Sequence, residues 1–173
     1  MKIIGSREVY KCRLFRVTEN RAVDRKDGFE IQRSVVRHAG SAVIMAVDEK
    51  KRILLVRQYR LPADRYLWEL PAGRLDPKEQ PLHACKRELA EETGYSARKW
   101  TRLASFWVSP GYVQEKMFLY LATGLTEGKA TPMDDERIEV AWFKRKELAK
   151  MIRKGQIEDA KTMIGFYAWR DQR

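Results

Sequence analysis

Long apolar runs are missing from this sequence. No stretch approaches the roughly 18 consecutive apolar residues that a membrane-spanning helix needs, so no such span is expected. Cysteine is scarce: the two present in 173 residues, Cys12 and Cys85, lie far apart and in no metal-ligand spacing. They read as reduced thiols rather than a disulfide framework or a zinc site. The opening "MKIIGSREVY" turns polar too soon for a signal peptide, and the expected compartment is the cytoplasm. Histidine is also sparse. His38 and His83 sit in no pattern that carries chemistry, which leaves them surface or capping roles.

Positive charge is plentiful. Lys and Arg number 35 against 24 Asp and Glu, a net charge of +11. Such an excess attracts anions and can hold nucleic acid through its phosphates. Here, however, the basic residues are scattered, with short clusters such as "KKR" (50–52) and "KRK" (144–146), and no basic stripe is interleaved with aromatics. An anionic partner is expected without the charge saying which one.

Residues 8–37 alternate apolar and polar types, with "KDG" (26–28) as a turn between two runs. This predicts a small antiparallel β unit ahead of the main body. Strand-like runs follow at 41–48, 52–59, 66–70, 100–109, 116–125 and 138–143. Helical spacing occurs at 81–93 and in the tail, where "KELAKMIRKG" stops at a glycine before "IEDAKTMIGFYAWRDQR". Strands outnumber helices without regular alternation, which predicts an α+β sheet covered by helices.

The 81–93 segment carries the chemistry. Pro81 suits a first helical position and Gly94 the position just past the end. Around this helix Leu82, Cys85 and Leu89 form an apolar stripe, and Glu88, Glu91 and Glu92 an adjoining acidic arc. Like charges at these spacings repel, and acids near a helix C-terminus oppose its dipole. A divalent cation would relieve both penalties, and hard carboxylate ligands favour Mg²⁺ or Mn²⁺ over zinc. On spacing alone, a solvated acidic face balanced by Lys86 and Arg87 explains the same residues.

Beyond spacing, the stretch from Gly73 to Tyr95 resembles the Nudix box, G-x5-E-x7-R-E-U-x-E-E-x-G-U, where U is a bulky apolar residue. Gly73, Glu79, Arg87, Glu88, Glu91, Glu92 and Gly94 fill every fixed position, Leu89 fills the first apolar site, and the aromatic Tyr95 fills the last. The resemblance implies a Nudix α/β/α sandwich, a mixed β-sheet between helices, with a small N-terminal antiparallel β-sheet domain. The expected domains are 1–38 and 39–173. It also implies hydrolysis of a nucleoside diphosphate linked to another group, with Mg²⁺ (or Mn²⁺) held by Glu88, Glu92, Glu91 and the Ala72 carbonyl. Arg87 would orient Glu91 through an i,i+4 ion pair, and Glu79 would be structural.

Outside the box, "RQYRLPADRYLWELPAGRLD", "FWVSPGYVQEKMFLYLA" and "MDDERIEVAWF" look like ADP-ribose pyrophosphatases of this superfamily. Pro110, sixteen residues past Gly94, falls where that group carries a marker proline. The resemblance implies that Arg60 contacts the diphosphate and Glu69 the ribose end. It matches Arg33 to a substrate-binding arginine that acts across a homodimer, whose N-terminal domain packs at the interface. Phe29, Trp68 and Trp107 are candidate adenine platforms, and Glu136, with Asp135 beside it, falls in the general-base role. Trp107 and Arg74 depart from the usual pattern and leave the distal sugar open. The alternatives are another sugar nucleotide such as GDP-mannose, or RNA 5′-end processing.

Overall fold

Alternation of apolar and polar residues dominates the first third of the chain, and strands result. The structure, a computed structural model, describes residues 1–131 and 137–171. Chain order begins with β1 (Lys2–Lys11), β2 (Arg16–Val23), β3 (Glu30–Arg37), β4 (Ser41–Ala46) and β5 (Arg52–Arg60). A single 3-10 turn (Leu61–Ala63) leads to β6 (Arg65–Glu69), β7 (Ala72–Arg74) and helix α1 (Pro81–Thr93). Then come β8 (Tyr95–Trp107), β9 (Val113–Gln114), β10 (Lys116–Glu127), β11 (Glu139–Lys144), α2 (Arg145–Arg153) and α3 (Ala160–Arg170).

The chain divides into two units. The first is Met1–Gly40 with Phe106–Met117, and the second Ser41–Ser105 with Phe118–Arg173. Phe106–Met117, which the pattern reading places in the second domain, therefore groups with the N-terminal strands. In the first unit the sheet order is β1-β2-β3-β9, antiparallel except for the parallel β3–β9 pair. Its buried face is largely polar. Thr18, Asn20 and Ala22 alternate inward along β2, and the Asn20 Nδ2 donates to Thr18 Oγ1 at 2.9 Å. Arg37 donates to Thr18 Oγ1, Asn20 Oδ1 and Gln114 Oε1 at 3.1, 3.1 and 2.8 Å. Between β3 and β4 the His38 Nδ1 accepts from the Gly40 amide at 3.1 Å.

In the second unit β4 is buried from end to end, as a strand covered on both faces must be. Ala42, Ile44 and Ala46 pack with Ala84, Cys85 and Leu89 of α1. Val43 and Met45, equally buried, project from the other face because successive side chains alternate. Helix α3 also packs on β4. This is the α+β arrangement of sheets and helices that the pattern predicts. The tail forms two helices, parted at Gly155, the glycine at which the sequence pattern stops; its φ of 69° lies in the left-handed region.

Gly94 closes α1 with φ 75°, and a Cβ there would lie 2.7 Å from both the Gly128 carbonyl oxygen and the Ala130 nitrogen. Gly94→Ala should therefore cost at least about 1–2 kcal/mol from the left-handed backbone alone, read by urea unfolding. A loss below about 0.5 kcal/mol, the usual spread for a neutral surface change, would show that the contact yields freely. The two thiols should also separate in reactivity. Cys85 is fully buried and burial pushes it up to about 12, whereas Cys12, hydrogen-bonded to the Phe15 backbone, lies below its usual range. A thiol reagent at pH 8 should modify Cys12 quickly and Cys85 only after unfolding.

Candidate active site

The acidic helix is anchored by one arginine. Arg87 Nε and Nη2 grip both oxygens of Glu79 at 3.1 and 2.9 Å. Its Nη1 reaches Glu88 Oε1 at 2.6 Å and Glu91 Oε2 at 3.0 Å, and Nη2 also donates to the Arg74 carbonyl at 3.1 Å. The expected i,i+4 pair with Glu91 is present, but it is one part of a wider clamp. Hydrogen bonds to these carboxylates raise the Arg87 guanidinium, held first by Glu79, and Arg87 pulls the Glu79 carboxyl below its usual range. Among the described residues no three acidic, imidazole or thiol groups converge as a ready cation cage. The mutual repulsion that the sequence poses is met first by Arg87, within the chain.

Glu92 differs from its neighbours. It lies seven residues past Cys85 and three past Leu89, which on a helix puts it where the acidic arc meets the apolar stripe. It is only 4% exposed, while Leu82, expected in that stripe, is half-buried. The Ala72 amide donates to Glu92 Oε2 at 3.2 Å. Glu88 approaches the same strand: a Cβ on Gly73 would fall 1.9 Å from the Glu88 carboxyl carbon. Gly73 is required because that carboxylate fills the space where any other side chain would start. Strand β7 thus receives both carboxylates on adjacent residues. Such hard oxygen donors fit a magnesium-like cation.

Arg60 and Glu69 form a second cluster in the same unit. Arg60 Nε and Nη2 bind Glu69 Oε1 and Oε2 at 2.8 and 2.7 Å. Glu69 is 2% exposed. Burial raises its carboxyl, but Arg60 and Lys161 outweigh that and hold it below the usual range. Glu92 and Asp159 also lie close enough to raise the Arg60 guanidinium electrostatically, after the larger effect of Glu69. Lys161 and Asp159 escaped the sequence reading, because helical spacing in the tail signalled packing and nothing marked a buried lysine.

The remaining candidates divide between the two units. Trp68 is adjacent to Glu69 on β6 and so projects from the opposite face, where Phe143 packs edge-on at 5.0 Å and Arg57 stacks at 5.9 Å. Phe29, Arg33, Trp107 and Pro110 all belong to the first unit. Phe29 is exposed just before β3, Arg33 lies within β3 with its guanidinium on the Gln32 carbonyl at 2.8 Å, and Pro110 occupies the turn after β8. Lys116 sits 5.4 Å over the exposed Trp107 ring. Asp135 and Glu136 lie outside the described residues. The chain just before them is tied to α1, since the Thr131 amide donates to the Glu91 carbonyl at 3.0 Å.

Comparisons with known proteins identify the family. The NUDIX domain family matches residues 36–166. An ADP-ribose pyrophosphatase of Bacillus subtilis is 36% identical over 142 residues, spanning 81% of this chain and 77% of that protein. A GDP-mannose pyrophosphatase of Cronobacter sakazakii is 34% identical over 157 residues, spanning 81% and 79%. A solved structure described as an ADP compounds hydrolase superposes with a TM-score of 0.83 at 22% identity, covering 99% of this chain and 94% of that one, and so shares the fold. With the box residues running from β7 through the following loop and α1 to its cap, the chain belongs to the Nudix hydrolase superfamily, in its ADP-ribose pyrophosphatase-like branch.

Proposed function

We propose that this protein hydrolyses the diphosphate of ADP-ribose to AMP and ribose 5-phosphate with Mg²⁺. The observation that supports this most directly is the placing of Glu88 and Glu92 against Ala72–Gly73, with Arg60 close enough to feel the Glu92 charge. Glu88, Glu92, Glu91 and the Ala72 carbonyl would hold the ion. A divalent cation there would neutralise diphosphate oxygens that otherwise repel an incoming nucleophile.

The chain's own residues do the rest. Arg87 keeps Glu88 and Glu91 oriented. Arg60 offers the diphosphate a planar, permanently charged donor. Glu69, which resemblance assigns to the ribose end, has both oxygens taken by Arg60 and Lys161, so its nearest role is to hold Arg60. Glu136, with Asp135 beside it, takes a proton from the attacking water. One P–O bond of the bridge breaks, the water oxygen joins the attacked phosphorus, and the departing phosphate oxygen leaves as the second product's terminal oxygen.

The unpaired edge of β1 supports a homodimer. Every residue of that strand is exposed, Ile3, Ile4, Val9 and Tyr10 included. A long edge strand of mixed character that exposes these apolar side chains invites pairing unless covered, and a second copy is the proposed cover. Phe29 and Arg33, exposed in the same unit, would then serve the partner's substrate. The second substrate reading is GDP-mannose, favoured by the similarity to the Cronobacter enzyme. The scattered basic surface gives RNA 5′-end processing no comparable support.

Assayed with Mg²⁺ against a panel of nucleoside diphosphate sugars, ADP-ribose should give the highest kcat/KM; preference for GDP-mannose would move the assignment to the second reading. Glu92→Gln should lower kcat by about 10²-fold or more and abolish heat from magnesium titration, with the melting temperature held. Gly73→Ala should displace the Glu88 carboxylate and give a similar loss in activity; wild-type turnover in that variant would contradict the packing. Glu136→Gln should lower kcat by about 10²–10⁴-fold while magnesium uptake persists, and an unchanged rate would remove it from the base role.

A further inference from the structure

Behind Arg60 and Glu69, three residues that neither the box nor the proposed chemistry uses, Lys161, Asp159 and Thr162, close the cluster into a ring. Lys161 Nζ donates to Glu69 Oε2 at 2.5 Å and to Asp159 Oδ1 at 3.0 Å. Asp159 Oδ2 accepts from the Thr162 amide at 2.9 Å and from its hydroxyl at 2.5 Å, capping α3. The Thr162 hydroxyl oxygen in turn accepts from the Leu70 amide at 2.8 Å, and Leu70 follows Glu69 in the chain. The ring therefore ties the first turn of α3 to the end of β6, immediately before the Pro71-Ala72-Gly73 segment that receives Glu88 and Glu92.

Every charge in the ring is matched by a partner. Lys161 is 8% exposed and Glu69 2%, so each would be costly to bury alone. Arg60 is the only member with substantial exposure, its side chain 39% accessible. Two of its three guanidinium nitrogens are committed to Glu69. Among the described residues Nη1 makes no hydrogen bond, and it is the nitrogen left to meet a ligand.

We infer that Lys161 is a positioning residue for diphosphate binding: by fixing Glu69 it sets the plane of the Arg60 guanidinium and the direction in which Nη1 donates. This rests on the reading of Arg60 as the diphosphate contact. With Arg60 alone on it, the Glu69 carboxylate can swing about its own side-chain bonds and carry the guanidinium with it. Lys161 and Asp159 stop that motion from the far side. The ligand class is a diphosphate joined to a nucleoside, and the effect falls on binding more than on the chemical step, since Arg60 holds phosphate oxygens before and during reaction.

A double-mutant cycle on the full chain tests this, with metal-free ADP binding at low salt measured by calorimetry. Lys161→Met and Arg60→Ala should each weaken ADP by about tenfold, the usual scale for one charge-assisted hydrogen bond. The double variant should be no weaker than Arg60→Ala alone, because the lysine acts through the arginine. Lys161→Arg should recover most of the affinity. In turnover assays with Mg²⁺, Lys161→Met should raise KM with kcat nearly kept. If Lys161→Met weakens ADP by the same factor with and without Arg60, or leaves it unchanged, Lys161 is structural only and the inference fails; a wild type without ADP affinity overturns it equally. Should Lys161→Met not fold, Lys161→Gln carries the same cycle. ADP binding needs no hydrolysis, so a chain that binds ADP through this cycle yet cleaves no diphosphate sugar would refute the proposed function and leave this inference standing.

Discussion

One guanidinium holds the site together. Glu79, Glu88 and Glu91 all turn to Arg87, and their convergence is what lets α1 carry so much negative charge at its C-terminal half. Two unit charges 4 Å apart interact by about 4 kcal/mol at the effective dielectric of a protein surface. Three acids without a cation would thus repel by more than the tenths of a kcal/mol seen on an exposed helix. Arg87 sits only 30% accessible among them, where screening is weaker, and its hold on the Arg74 carbonyl joins the helix to β7. Loop, strand and helix are registered by one side chain.

That registration explains which parts of the site could be read from sequence. Pro81 and Gly94 mark the ends of α1 because each has a backbone preference that neighbours seldom override. The Arg87–Glu91 pair follows from helical geometry. Glu92 reads from the sequence as part of the acidic arc, but its burial is less legible, because hydropathy patterns treat every glutamate as a surface residue; only its i+7 relation to Cys85 betrays that it also continues the buried stripe. Lys161 was hidden for the same reason. Strand β1 gave a weak signal because both its faces are exposed, so no alternation was needed. The N-terminal unit packs Thr18 and Asn20 inside, so the alternation along this stretch marks strands without revealing that their buried side is polar.

The two buried glutamates show what the charges are for. Replacing a buried ion-pair network by apolar side chains of similar volume is often neutral or stabilising, so stability does not explain Arg60, Glu69, Lys161 and Asp159 at the end of β6. A hydrophobic plug there could fasten α3 to the sheet just as well; Gly165 already lets α3 approach Leu70 closely, since a Cβ there would meet the Leu70 side chain at 2.4 Å. What an apolar plug cannot do is hold a planar cation at a fixed angle. Carboxylates bind guanidinium along two parallel bonds, which sets orientation as well as position, and an orientation fixed before ligand arrives carries no ordering cost on binding. The buried charges are therefore best understood as the rigid backing of an exposed donor, in the way that Arg87 is the backing of the carboxylates beside it.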